Sequence, residues 1–193
     1  MQTHPGILYR AYLSEPPLHQ AHLDTWRPPS SVPYLVDNLW EWARPEGYPT
    51  RRAAAFASPT SDEAKANRGE FVYRLTLPTG TKVAQLEAFV DSNLHPDIKA
   101  LPRFIRDALG PDWFSKELAQ KGGEASLFCP CLHKGEVESI VSGSKLMSRS
   151  ELLTRVGYWS DVRLIAIGDE PLAATGEIFF TVPADGYALT PHG

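Results

Sequence analysis

Apolar positions along this chain recur with two different periods, and the changes of period mark its elements. Bulky residues alternate by two over Phe71-Val72-Tyr73-Arg74-Leu75-Thr76-Leu77, which predicts a strand. The turn Pro78-Thr79-Gly80-Thr81 follows, and Lys82-Val83-Ala84-Gln85-Leu86 continues as a second strand. Ile7 to Leu13 reads as the first strand of the chain, and 162–167 and 177–182 as its last. The helical period appears at Leu35, Leu39 and Trp42, with Val36 and Trp40 widening the face. That helix opens at Ser31-Val32-Pro33, runs to about Ala43 and is stopped by Arg44-Pro45. Its two tryptophans read as core anchors.

Ile98, Leu101, Ile105 and Leu109 predict a helix over 97–109, which Pro102 should bend or restart. A short helix around Trp113, Phe114 and Leu118 ends at Gly122-Gly123. Ser148-x-x-Glu151 caps another around Leu152, Leu153 and Val156. Residues 14–31, rich in Pro and His, form a loop. Strands at both ends with helices between them predict an α+β domain rather than a doubly wound sheet.

The stretch 51–64 organises the rest. Ala53 to Ala57 is a strand of small residues with one bulky member, Phe56, so a backbone or flat ligand can approach closely. Ser58-Pro59-Thr60 then turns the chain into a short helix. Either Ser58 is the N-cap with Pro59 following, or Thr60-x-x-Glu63 forms a capping box. Hydroxyls and free N–H groups gather at this junction, which suits an anionic ligand. Without a ligand, it is a well-capped strand–helix turn.

Composition adds limits. The 193 residues are 42% hydrophobic and 22% charged, an ordinary balance for one soluble domain. The net charge of −4 gives no general attraction to nucleic acid. No apolar run reaches the ~18 residues of a membrane span, and no signal-peptide core is expected at the N-terminus. A cytoplasmic protein, or one delivered into a target cell, is the expectation. The two cysteines stand in Cys129-Pro130-Cys131-Leu132-His133, too close for an unstrained disulfide. Cys-x-Cys-x-His and His19-Gln-Ala-His22 could supply zinc ligands, but neither has a common structural spacing. Buried thiols, surface histidines and no metal are expected.

Three patches stand out in order: an arginine on the first strand, a hydroxyl turn after a middle strand, and Thr175-Gly176-Glu177 opening the final strand. Leu8-Tyr9-Arg10, Phe56-Ala57-Ser58-Pro59-Thr60 and Gly176-Glu177-Ile178 resemble the motifs of the ADP-ribosyltransferase superfamily, in its toxin-like branch with an Arg–Ser–Glu arrangement. The resemblance covers about 25 residues in three pieces. It implies split antiparallel or mixed sheets flanked by short helices, and NAD as a substrate with no metal. It also implies roles. Glu177 would stabilise the oxocarbenium-like centre formed as the nicotinamide–ribose bond breaks. Arg10 would bind the pyrophosphate or adjoining ribose. Ser58 would fix the nicotinamide-side ribose and the acid, with Thr60 secondary, and Phe56 or a nearby tyrosine such as Tyr9 would stack on nicotinamide.

One departure matters. Members that modify protein arginine usually carry a second acid two positions before the glutamate, and here that place holds Thr175. Another acceptor, or simple NAD hydrolysis, is the reading that remains. The size suits a bacterial toxin or effector, with an antitoxin or immunity protein as partner. Two alternatives come from other classes. One is a non-catalytic binding module of the same fold, with Trp26, Trp40 and Trp159 as exposed anchors. The other is a hydrolase built on Cys129 and His133.

Overall fold

The computed structural model describes residues 6–21 and 26–192, and the side chains of 67 and 68 are outside the description. The fold is mixed α+β, with two four-stranded antiparallel sheets and several helices. The described residues form two compact units. One lies within Met1–Trp26, Glu46–Ser92 and Asp161–Gly193, the other within Arg27–Pro45 and Asn93–Ser160.

The first unit holds both sheets. β1 (Ile7–Tyr12), β4 (Phe71–Thr76), β8 (Tyr187–Pro191) and β2 (His19–Gln20) are neighbours in that order in one sheet. β3 (Ala54–Ala57), β7 (Glu177–Thr181), β5 (Lys82–Leu86) and β6 (Val162–Ala166) form the other. Alternation along the strands sends Leu8, Tyr73, Leu75 and Leu189 from the first sheet into the same core as Ala55, Ala57, Val83, Ile178 and Phe180 from the second. The two-residue period of β4 is thus the imprint of one buried face.

A single bridge between Tyr9 and Ser58 links β1 to the end of β3. Both backbone bonds are made, Tyr9 N–H to Ser58 O at 2.9 Å and Ser58 N–H to Tyr9 O at 2.8 Å. α2 (Ser61–Arg68) follows at once, and the cap is Thr60, whose hydroxyl accepts from the Glu63 N–H at 3.3 Å. Of the two starts allowed by sequence, the one at Thr60 is observed. It is a single N-cap bond rather than a capping box, since the Glu63 carboxylate accepts from the Gly176 N–H. Ser58 is therefore strand backbone, not a cap.

In the second unit α1 (Tyr34–Ala43) buries Leu35, Val36, Leu39, Trp40 and Trp42. Trp40 is 1% exposed, so the sequence-based choice of it as an exposed anchor is corrected. Its indole stacks on Tyr158 at 4.1 Å, and its N–H donates to Asp97 at 2.9 Å. Trp159 is half-buried and donates to the Trp40 carbonyl at 2.7 Å. α3 (Asp97–Ser115) runs through Pro102 and breaks at Gly110 (φ 73°, ψ 162°), where Pro111 restarts it. The expected break at Pro102 therefore falls eight residues later. α4 (Lys134–Gly143) and α5 (Arg149–Arg155) complete the unit. Ser148 caps α5 as its spacing predicts, accepting from the Glu151 N–H at 3.4 Å.

Glu138 on α4 accepts from the Trp42 indole at 2.8 Å, Ser142 at 2.7 Å and Arg149 at 2.7 Å. These bonds, that from Arg149 foremost, hold its carboxyl at about 2 against an ordinary 4.5. A carboxyl lowered by folding stabilises above its unfolded value and loses that contribution as pH falls through the folded one. The parent midpoint should therefore drop more steeply than that of Glu138→Gln between pH 4.5 and 2, as read by thermal melts. The gap should be modest, because the pair is well exposed to solvent. Among the described residues, no helix is long and apolar enough to cross a membrane.

Candidate functional site

Register brings two of the three sequence patches together. β3 and β7 pair from Ala54–Thr181 through Ala57–Ile178; Ser58 and Glu177 each lie one residue beyond that last pair, and Ser58 bridges to Tyr9. Ala55 and Ala57 face the core with Ile178 and Phe180, so Phe56, Ser58, Glu177 and Phe179 occupy the other face of the sheet. Phe56 and Phe179 are in tilted contact there, centroids 5.9 Å apart.

Glu177 is anchored on every side. Its N–H donates to Phe89 O at 2.9 Å. Its Oε1 accepts from Arg51 at 2.6 Å and from the Ser92 hydroxyl, and the Ser92 N–H reaches Oε2 at 3.4 Å. The Arg51 and Glu177 side chains are 13% and 14% exposed, so the carboxylate is not a surface group. Arg51 also lies over the rings of Phe56 (4.9 Å) and Phe179 (5.2 Å). Neither Arg51 nor Ser92 was assigned a role from sequence. Arg51 lies 126 positions from Glu177 and Ser92 lies 85, so no local pattern announces either pairing.

Gly176 sets the entry of β7. It takes φ +108°, and a Cβ there would stand 2.2 Å from the Leu86 carbonyl oxygen, so no side chain fits without moving backbone. Its N–H donates to Glu63 on α2 at 3.2 Å. Burial raises the Glu63 carboxyl above its ordinary value, and the Gly176 N–H works against that rise. A raised carboxyl stabilises most at low pH and loses its contribution as pH climbs through the folded value. At neutral pH, Glu63→Gln keeps the acceptor without the charge and should melt no lower than the parent. Glu63→Ala leaves a buried N–H unpaired and should lose about 1–3 kcal/mol in denaturant unfolding.

Arg10 lies one residue from the Tyr9–Ser58 bridge, but on the opposite strand face from Tyr9, the face of buried Leu8. Its guanidinium donates to the Tyr187 hydroxyl at 2.9 Å and lies 5.0 Å from the Tyr12 ring centre. Burial pushes the Tyr12 phenol well above its usual range, with Arg10 opposing the shift. Among the described residues Glu177 is held by Arg51 and Ser92, not by Arg10. Tyr9 packs edge-on against His192 at 5.1 Å, and Thr60 is occupied as the α2 cap.

The other candidates lie elsewhere. Cys129 is exposed and Cys131 half-buried, which corrects the expectation of two buried thiols. It is the backbone of this segment that is held: Asn38 donates to Leu127 O and Cys129 O and accepts from the Leu132 N–H. No group of three or more His, Cys, Asp or Glu is placed to hold a metal among the described residues. His22 is outside them. Trp26 carries the buried Arg52 guanidinium 5.2 Å from its ring centre. Compared with known proteins, the chain matches no family model, no curated protein and no solved structure.

Proposed function

We propose that this chain is an NAD-dependent ADP-ribosyltransferase with the split-sheet fold of that superfamily. The observation that carries the reading is Glu177 itself, a carboxylate held by Arg51 and Ser92 one residue beyond the Ala57–Ile178 pair, where Ser58 follows on β3's side. Two antiparallel sheets linked through Tyr9 and Ser58 also fit the expected architecture. In the reaction, the nicotinamide–ribose bond breaks and nicotinamide leaves with the bonding electrons. Positive charge grows on the ribose, and a carboxylate held beside it stabilises that charge. Ser58 would hold the adjoining ribose hydroxyls, and Phe56 would offer an aromatic face to nicotinamide.

The acceptor is the open part of the reaction. Thr175 stands where arginine-modifying members place a second acid, and its hydroxyl donates to Glu87 O at 3.2 Å. That favours an acceptor other than protein arginine, and makes water, hence NAD hydrolysis, the second reading. A bacterial toxin or effector with a cognate inhibitor partner is the biological setting this chemistry suits. The test is direct: incubate purified protein with NAD and quantify free nicotinamide, with and without candidate acceptors. Sustained release supports the transferase or hydrolase reading, and release that rises with an acceptor separates the two. No release above the buffer rate favours the non-catalytic binding module.

A further inference from the structure

Arg51 presents a physical conflict that its position resolves. A cation 2.6 Å from Glu177 cancels much of the field that the carboxylate would exert on a cationic ribose. The same Arg51 sits at the turn immediately before β3, on the sheet face that carries Phe56, Phe179 and Glu177. Arg10 is turned to Tyr187 on the other side of its strand. The guanidinium nearest the proposed reacting centre is therefore Arg51, and its planar fork matches a phosphate as well as a carboxylate.

We propose that Arg51 is an anion-binding residue of this site, exchanging the Glu177 carboxylate for the pyrophosphate of the bound dinucleotide. The exchange leaves Glu177 held by Ser92 and frees its Oε1 from the opposing charge. Dinucleotide binding and carboxylate activation then become one event, coupled through Arg51 as a substrate-binding residue. This rests on the NAD reading above, and the experiment separates the two.

Parent, Arg51→Gln and Arg51→Lys proteins are titrated calorimetrically with inorganic pyrophosphate and with ADP-ribose, and their nicotinamide release from NAD is measured. Losing one charge-assisted contact should weaken both ligands about tenfold or more in Arg51→Gln, with Arg51→Lys between. The KM for NAD should rise by a similar factor while kcat stays within about threefold, since the interaction removed is a binding one. Unchanged pyrophosphate affinity with lowered kcat and stability would make Arg51 a mere counter-ion and overturn the proposal. Should Arg51→Gln not fold, Arg51→Gln combined with Glu177→Gln keeps the pair neutral, and its pyrophosphate affinity reads the same loss. Pyrophosphate binding that depends on Arg51 without nicotinamide release sinks the transferase reading alone. Nicotinamide release with an unaltered KM in Arg51→Gln sinks the Arg51 assignment alone, and a parent that binds neither ligand sinks both.

Discussion

Glu177→Gln is expected to slow nicotinamide release by on the order of 10²–10³, with NAD binding retained. The amide keeps the size of the side chain and can accept from Arg51 and Ser92, but it carries no charge to meet an oxocarbenium-like centre. The substitution is not silent for stability. Residue 177 opens a strand beside Gly176, which suggests a tolerant position, yet the pair with Arg51 is mostly buried. Removing the carboxylate leaves the guanidinium without its counter-charge, and one-sided breaks of buried pairs cost about 3–5 kcal/mol. The rate must therefore be compared well below the variant's own melting point. Addition of Arg51→Gln should recover much of the lost stability and none of the rate. Parent-level turnover by a folded Glu177→Gln protein would leave Glu177 as a structural carboxylate and remove the catalytic reading.

The largest stability effect is expected at Asp97, in the second unit. Its carboxylate accepts from the Trp40 indole at 2.9 Å, the Gly157 N–H at 3.1 Å and the Tyr158 N–H at 3.1 Å. Trp40 and Tyr158 are 1% and 0% exposed, so their donors have no water to turn to. Each orphaned donor costs about 1–3 kcal/mol, which puts the loss of all three in Asp97→Ala at roughly 3–9 kcal/mol. That is a large part of the stability of a domain this size. Asp97→Asn keeps one acceptor oxygen and should lose less. Urea unfolding followed by tryptophan fluorescence checks both. A loss in Asp97→Ala of under about 1 kcal/mol would show that the three donors find other partners.

How much of this was legible depends on whether one element carried its own signal. β4 and α1 were readable because each buries one face, and burial of one face writes its period into the sequence. α4 was not, since Gly135 and Gly143 lower its helix propensity and only Val137 and Val141 are buried. β8 buries only Tyr187 and Leu189 and ends on Pro191, a residue that argues against a strand, and β2 has two residues. The helix break went to Gly110-Pro111 because Gly110 can take a positive φ, whereas Pro102 keeps a helical one. At the site, residue types and their order pointed to Ser58 and Glu177, and β3–β7 register ends at Ala57–Ile178, one residue short of both. What the sequence did not carry is who touches them. Arg10 was the charge singled out, on a strand motif, but the guanidinium at Glu177 is Arg51. Contacts across sheets and loops have no local period to read.

The central claim is that Ser58 and Glu177, at the adjoining ends of β3 and β7, hold the nicotinamide ribose of NAD. A crystal structure of the protein with NAD, using Glu177→Gln to prevent turnover, tests it most directly. The account predicts the ribose hydroxyls within hydrogen-bond reach of residue 177 and Ser58, nicotinamide beside Phe56, and Arg51 on the pyrophosphate. NAD bound away from β3 and β7, or no NAD at saturating concentration, would contradict it.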